Sequence, residues 1–223
     1  DVRAFFKTYY APSNAALVVV GDFEPEQVKG WVQQYFGPLP KAPVPQLPDI
    51  SEPRQEKEKR HDKKDSRITR PAFAAGYHMP PVGTPEFYAM ALIDEILLQG
   101  SDSALYQQLV QKKGIAGELA GGVNELGNQW NYNGPMLWTV YLFHDTVISP
   151  ETIAGEIDGV VAKLGEKPVD AQALARARVK ARARLYAHVE GILGFGRADL
   201  LASSALFFDD PARLNRLEDE LMK

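Results

Sequence analysis

The chain has 223 residues, of which 45% are hydrophobic and 24% are charged. These proportions are typical of a globular protein, and a chain of this length buries a core without needing disulfides or metal. The formal net charge of −4 argues against nucleic acid as the main partner, because nucleic-acid-binding domains usually present a basic surface. The absence of cysteine excludes disulfides, thiolate zinc sites, iron–sulfur clusters and cysteine nucleophiles.

The sequence predicts no membrane span and shows no signal peptide at its start. Its longest uncharged stretches, such as Pro71–Pro85, are interrupted by proline and glycine and fall short of about 20 apolar residues. The helical pattern begins at once with Val2–Tyr10, and Arg213–Lys223 is a helical pattern without a following cap. We therefore expect a piece excised from a longer protein.

The first predicted elements are a helix, a strand and a second helix. Val2–Tyr10 has its apolar residues at helical spacing. Ala15–Val20 is a short apolar run rich in β-branched residues, which predicts a buried strand. Pro25 suits the first turn of a second helix, in which apolar residues recur at i, i+3, i+4 and i+7 before a stop at Gly37.

Residues 38–65 are predicted to be an exposed linker. Residues 38–53 contain six of the 16 prolines, and Glu52–Asp65 is a dense run of mixed charge. Such a composition is typical of a solvated connection, with room for one polar edge strand.

The remaining elements predict a sheet covered by helices. In chain order they are a strand over Ala72–Met79, a helix from its Thr84 cap to about Leu98, a helix over Ala104–Lys113, strands over Ile115–Val123 and Met136–Phe143, a helix from Ser149 to Gly165, and helices over 170–223. The last two strands are adjacent along the chain, which predicts an antiparallel pair. The order predicts an α+β fold with one mixed, largely antiparallel sheet and helices on one face. We expect residues 1–223 to form a single domain.

The four histidines, His61, His78, His144 and His188, are too far apart along the chain to form a helical metal motif. Neither His-x-x-Glu-His nor His-Glu-x-x-His occurs, so no helix presents two imidazoles to zinc. His188-x-Glu190 matches part of the zinc deaminase motif, but that site needs cysteine ligands. We therefore interpret His188 as a partly exposed helix residue and predict no metal ligand.

The sequence also lacks a nucleophile elbow of the form Gly-x-Ser-x-Gly. The stretch from Gly191 to Ala198 has a partial likeness to a phosphate-binding loop, but it lacks the lysine and the hydroxyl and does not follow a strand. We interpret it as a helix junction. No catalytic and no cofactor-binding residue is predicted.

Two further patterns have both a functional and a structural interpretation. A basic cluster lies on the predicted long helix and consists of Arg176, Arg178, Lys180, Arg182 and Arg184. It indicates either an anionic partner or charged inner wall, or a solvated face balanced by acids elsewhere, which the acidic total favours. The aromatic stretch Trp130–Tyr141 could be a binding platform, but core packing is the favoured interpretation.

An ordered series of motifs resembles the second, non-zinc domain of the pitrilysin-type metallopeptidases, the family of insulinase and the mitochondrial processing peptidase. The matching pieces are Phe6–Asn14, Leu17–Phe23, Val32–Pro40, Gly76–Pro80, Gly100–Leu109 with Lys113–Ala116, and the helix Ala175–Leu201. Each piece is weak alone, but the series is specific and covers about residues 1–205.

The resemblance implies homologous α+β domains that enclose a chamber. In such enzymes a sister domain carries His-x-x-Glu-His and a later Glu that bind zinc, and the motif Glu is the general base for peptide hydrolysis. It implies that this chain is the inactive domain, with zinc and catalysis in the sister domain of the same parent chain. It also implies a peptide substrate and a second subunit or half that closes the chamber.

One departure from the family pattern concerns an Arg and a Tyr, seven positions apart, that reach the substrate from the half opposite the zinc. Here those positions hold Val110 and Gly117, whose side chains cannot donate a hydrogen bond. The chain therefore suits the half that carries zinc, or a degenerate parent that is not a peptidase.

Three functions follow as hypotheses. The first is a peptidase wall domain that packs against the zinc-bearing domain. The second is a scaffold subunit, like the processing-peptidase relatives in respiratory complexes. The third is a free-standing binding module, which the helical patterns at both ends of the chain disfavour. Family habit suggests a bacterial, exported or periplasmic protein.

Overall fold

The computed structural model describes residues 1–46, 48–51, 53, 55–125, 127–191 and 196–223. These residues form two compact units. The first comprises residues 1–50 and 188–215, and the second comprises residues 51–187 and 216–223. The helices are α1 (Val2–Tyr9), α2 (Pro25–Phe36), α3 (Pro85–Leu97), α4 (Pro150–Gly165), α5 (Ala171–Glu190), α6 (Gly196–Phe208) and α7 (Leu217–Met222). The strands are β1 (Ala72–His78), β2 (Ala120–Val123) and β3 (Leu137–Phe143).

The first unit begins with α1 and α2, at the positions that the sequence predicts. The strand predicted over Ala15–Val20 is wrong: these residues belong to no described strand. Leu17, Val19 and Val20 are 59%, 44% and 45% exposed, so the run is not buried. A β-branched run becomes a strand only when another strand accepts its backbone hydrogen bonds, and no described residue does so here.

The linker predicted over 38–65 is exposed along almost all of its described length and contains no described helix or strand. The optional polar edge strand in it is therefore not formed by the described residues. Leu47, Glu52 and Arg54 lie outside the described residues.

The second unit is built on a three-stranded antiparallel sheet with the strand order β1-β3-β2. In the register, Ala72 lies opposite Phe143 and Ala120 lies opposite Tyr141. The predicted antiparallel pair is confirmed, although the strand expected over Ile115–Val123 is shorter. Only its end forms β2, because the exposed Gly117 and Glu118 interrupt the run after an isolated bridge at Ala116.

The core of the second unit lies on one face of this sheet. Trp138, Val140 and Leu142 alternate along β3 and are at most 2% exposed, which is the pattern of a strand with one covered face. They pack with Leu105 and Leu109 of the helical segment after α3, and with Ile153 and Ile157 of α4. The fold is therefore α+β with helices on one face of the sheet, as predicted.

The helix termini follow the predicted capping residues. Thr84 Oγ1 accepts from the backbone N–H of Phe87 at the start of α3. Asp170 Oδ2 accepts from two N–H groups in the first turn of α5. The helix predicted over Ala104–Lys113 is present, with a wider π-helical turn over Tyr106–Lys112. Among the described helices, none is long and apolar enough to cross a membrane.

Candidate functional site at the contact between α3 and α5

The most distinctive chemistry in the second unit is a pair of neighbouring buried carboxylates on α3. Asp94 is 6% exposed and Glu95 is 3% exposed. With the buried Ala91 they occupy positions i, i+3 and i+4 of one helix face. This is the spacing of His-x-x-Glu-His, but none of the three positions holds an imidazole.

Asp94 is held by two neutral donors at one oxygen. Its Oδ1 accepts from Trp138 Nε1 at 2.7 Å and from Gln99 Nε2 at 3.2 Å. Burial raises the pKa of Asp94 to about 6, and the two hydrogen bonds oppose that rise without cancelling it. The carboxyl joins α3 to β3 through the indole.

Glu95 is held by a cation from α5. Arg184 Nε donates to Glu95 Oε1 at 2.8 Å, and Arg184 Nη2 donates to Oε2 at 3.3 Å. The ion pair is therefore bidentate, which is the geometry in which a guanidinium binds a carboxylate most strongly. The Arg184 side chain is 50% exposed, so its other side remains in water.

Lys180, one turn earlier on α5, binds the end of α3. Its Nζ donates to the backbone oxygens of Glu95 and Gln99 and, at 2.8 Å, to Asp102 Oδ1. The hydrogen bond from Lys180 holds the pKa of Asp102 below its ordinary value. A cation at this position is favoured, because the carbonyl groups at a helix C-terminus carry partial negative charge.

The predicted basic cluster therefore has a largely intramolecular explanation. Lys180 and Arg184 bind α3, and Arg182 pairs with Glu218 at 2.7 Å. Arg176 lines a cleft of about 50 Å³ beside Lys180, which has space for only a few water molecules. The favoured interpretation, cations balanced by acids of this chain, agrees with these contacts, although the face is not simply solvated.

The four histidines differ in exposure and in their nearest partners. His61 and His78 are exposed, whereas His144 is buried with Nδ1 2.9 Å from the carbonyl oxygen of Asp145. His188 Nε2 lies 3.4 Å from Asp199, and its side chain is 23% exposed, as predicted. Within the described ranges, no group of three or more His, Asp or Glu side chains could hold a metal ion. The junction from Gly191 to Gly196 contains residues 192–195, which lie outside the described residues.

The aromatic stretch mainly packs inside, as predicted. Trp130, Tyr132 and Trp138 are 4%, 7% and 2% exposed, whereas Tyr141 is 39% exposed on the open face of the sheet. A second, larger cleft of about 350 Å³ lies between residues 55–58 and residues 76–78 at the end of β1.

The two positions at which the chain departs from its family pattern differ in their surroundings. Val110 is partly buried in the π-helical turn, and Gly117 is exposed, with no atom within 4 Å of the place where a Cβ would lie. A Cβ at position 117 would therefore meet no neighbouring atom.

The sequence analysis identified the basic residues of α5 that take part in the α3–α5 contact. It did not identify their acidic partners on α3. The available signal was Asp94-Glu95 in the otherwise apolar helix sequence Phe87–Leu98. Adjacent acids on the buried side of an apolar helix need partners, and the cations at four-residue spacing on α5 are suitable ones. Chemically, the arrangement holds a helix, a strand and a second helix together.

The comparisons with known proteins identify the family. Residues 1–180 match the family described as the peptidase M16 inactive domain. The chain belongs to this family, which confirms its resemblance to the non-zinc domain of the pitrilysin-type metallopeptidases.

A curated relative is the zinc protease PqqE of Helicobacter pylori, 23% identical over 195 residues, which are 85% of this chain and 42% of that protein. The alignment with the solved structure of a protease from Helicobacter pylori includes 100% of this chain and 52% of that protein, with a TM-score of 0.83 and 21% identity. The alignment with the structure of the periplasmic protease PqqL of Escherichia coli includes 91% of this chain and 21% of that protein, with a TM-score of 0.57 and 15% identity. The chain thus spans about half or less of the length of these relatives.

Proposed function

We propose that this chain is the non-catalytic domain of a zinc metallopeptidase, in which it forms part of the chamber wall and packs against a zinc-bearing sister domain. The observation that carries the proposal is which residues occupy the buried face of α3. Its buried face has the spacing of the zinc motif but holds Ala91, Asp94 and Glu95. Both carboxylates are bound by groups of this chain, which supports a structural role for the face.

Zinc and peptide hydrolysis belong to the sister domain in this proposal. This chain matches 42% of the relative named zinc protease PqqE and 52% of the solved Helicobacter pylori protease, which leaves room in both for such a domain. The Val110 and Gly117 positions suit a domain in the half that carries zinc, with the substrate-contacting Arg and Tyr supplied by a second half or subunit.

Two measurements test the proposal. The purified 223-residue chain is dialysed against zinc, its metal content is measured by mass spectrometry, and it is then incubated with a quenched fluorescent peptide. We expect substoichiometric zinc and no cleavage, whereas one zinc per chain or hydrolysis would contradict the proposal. The parent reading frame should contain His-x-x-Glu-His, and mutation of its Glu should abolish hydrolysis by the parent protein.

A scaffold role is the competing outcome of the same experiment. Val110 and Gly117, which stand where the family pattern has an Arg and a Tyr, also suit a degenerate parent that is not a peptidase. If neither the parent reading frame nor its neighbouring gene encodes the zinc motif, the chain is a scaffold domain of this family.

We further propose a bacterial periplasmic location, supported by the relative in Escherichia coli that is named as a periplasmic protease. Fractionation of the source cells with an antibody to this chain tests it. Recovery with cytoplasmic markers would contradict this part of the proposal.

A further inference from the structure

The first 36 residues carry large apolar side chains that the chain itself does not cover. The N-terminal apolar surface is defined here by six of them, which are between 44% and 66% exposed: Phe5, Phe6, Leu17, Val19, Trp31 and Tyr35. Neither α1 nor α2 contains a buried residue. Single exposed apolar residues are ordinary, but three consecutive segments without a buried side chain indicate an interaction surface.

The segment between α1 and α2 has the composition of a β-strand, but no described strand pairs with it. Residues 15–20 read Ala-Ala-Leu-Val-Val-Val, and residues 15–23 make no backbone–backbone hydrogen bond to another described residue. An extended β-branched run with free N–H and C=O groups is suited to add to the edge of another sheet. Gly21, with a φ of 154°, ends the run in a conformation that favours glycine.

The charge of this region indicates the kind of partner. Residues 1–36 contain three basic and four acidic residues, so they have almost no net charge. A nucleic acid or an anionic membrane would require a basic surface. Apolar helix faces on both sides of an unpaired strand suit instead a protein domain with an open sheet edge.

We propose that residues 1–36 dock onto the zinc-bearing sister domain, where residues 15–20 add a strand to its sheet and α1 and α2 cover apolar surface. This inference rests on the proposed function. The length of a related structure indicates which partner covers this surface. The whole of this chain matches 52% of the Helicobacter pylori protease, so a region of similar size in that protein lies outside the match.

The test uses the parent protein with Val19→Lys, which places a charge in the proposed added strand. The matched control is Val147→Lys, because Val147 is also an exposed apolar residue, at 87%, and lies in the second unit. We expect Val19→Lys to lower the temperature of zinc release from the sister domain by about 5 °C or more, and Val147→Lys to change it by less than about 1 °C.

The same variants are made in the isolated 223-residue chain, where Val19→Lys should leave the unfolding temperature unchanged. Equal destabilisation of the isolated chain would overturn the inference, because Val19 would then pack within its own chain. Zinc release unaffected by Val19→Lys would also overturn it. Dimers of the isolated chain that Val19→Lys dissociates, without an effect in the parent, would overturn it by assigning the surface to a second copy. A parent without a zinc domain would refute the proposed function itself.

Discussion

Asp94 shows how burial decides the behaviour of a single residue. The sequence places it on a helix that is otherwise apolar, and the structure gives it an indole and an amide as donors. These donors are neutral, so they satisfy the oxygen without supplying a compensating charge. Burial consequently raises the pKa of Asp94 to about 6.

This pKa predicts a specific pH dependence. The folded chain binds the Asp94 proton more tightly than the unfolded chain, so the stabilisation is complete below a pH of about 4 and is lost as the pH rises through about 6. Asp94→Asn keeps the acceptor for Trp138 and removes the charge. Relative to the wild type, its free energy of unfolding should rise by roughly 3 kcal/mol between about pH 4 and about pH 7.

Urea unfolding of both proteins across this pH range checks the prediction. Asp102→Asn is the control, because Lys180 lowers the pKa of Asp102 and the same change there should bring no gain in stability over the wild type as the pH rises. A constant difference between Asp94→Asn and the wild type would show that the Asp94 charge does not affect folding.

Glu95 presents the other case, a buried carboxylate with a charged partner. Arg184→Met should destabilise the chain by about 1–3 kcal/mol, because it leaves Glu95 buried with its guanidinium removed. Arg182→Met is the matched control on the same helix, and it should cost at most about 1 kcal/mol, since its partner Glu218 is 33% exposed. Chemical denaturation measures both values, and equal losses would contradict the distinction.

At the scale of elements, β2 depends on glycine. Gly121 has a φ of 138°, and a Cβ there would lie 2.1 Å from the backbone oxygen of Thr139 on β3. The close approach is between two backbones, so a side-chain movement cannot relieve it. The two glycines of β2 therefore permit a pairing that the sequence, by its low β-propensity, disfavours.

Gly121→Ala should detach β2 and destabilise the second unit by about 2 kcal/mol or more, through both the clash and the positive φ. Gly117→Ala is the control, since no atom lies within 4 Å of its Cβ position. Thermal unfolding followed by circular dichroism compares them. If the two variants melt together, the close approach of β2 to β3 is not required.

The N-terminal run and β3 differ in what surrounds them rather than in composition. Both are rich in β-branched or aromatic residues, yet only β3 pairs, because β1 and β2 lie on either side of it. Amphipathic spacing in α1 and α2 likewise predicts a buried stripe that the chain does not bury. Local pattern specifies the element, whereas burial requires a second surface.

At the scale of the whole molecule, the described residues form two compact units. That residues 1–223 form a single domain stays a prediction. None of residues 1–46 and 48–50 is buried. Removal of residues 1–50 should therefore lower the unfolding temperature by less than about 3 °C and leave the transition cooperative, as measured by calorimetry. Loss of the cooperative transition would instead support one domain that includes these residues.

Several features of this protein could be predicted from its sequence alone. Helix positions, capping by Thr84 and Asp170, and the antiparallel strands near residues 115–143 follow from short-range periodicity and turn chemistry, which act within a few residues. The ordered motifs also indicated the inactive-domain family that the comparison confirms.

Only the tertiary structure decided which predicted surfaces find partners. It paired Lys180 and Arg184 of α5 with oxygens of Glu95, which lies 85 and 89 residues away from them along the chain. It also left Ala15–Val20 without a buried residue, although its composition predicts a buried strand. The physical reason is that burial and charge pairing depend on surfaces brought together by folding, and no local pattern specifies whether the matching surface belongs to the same chain.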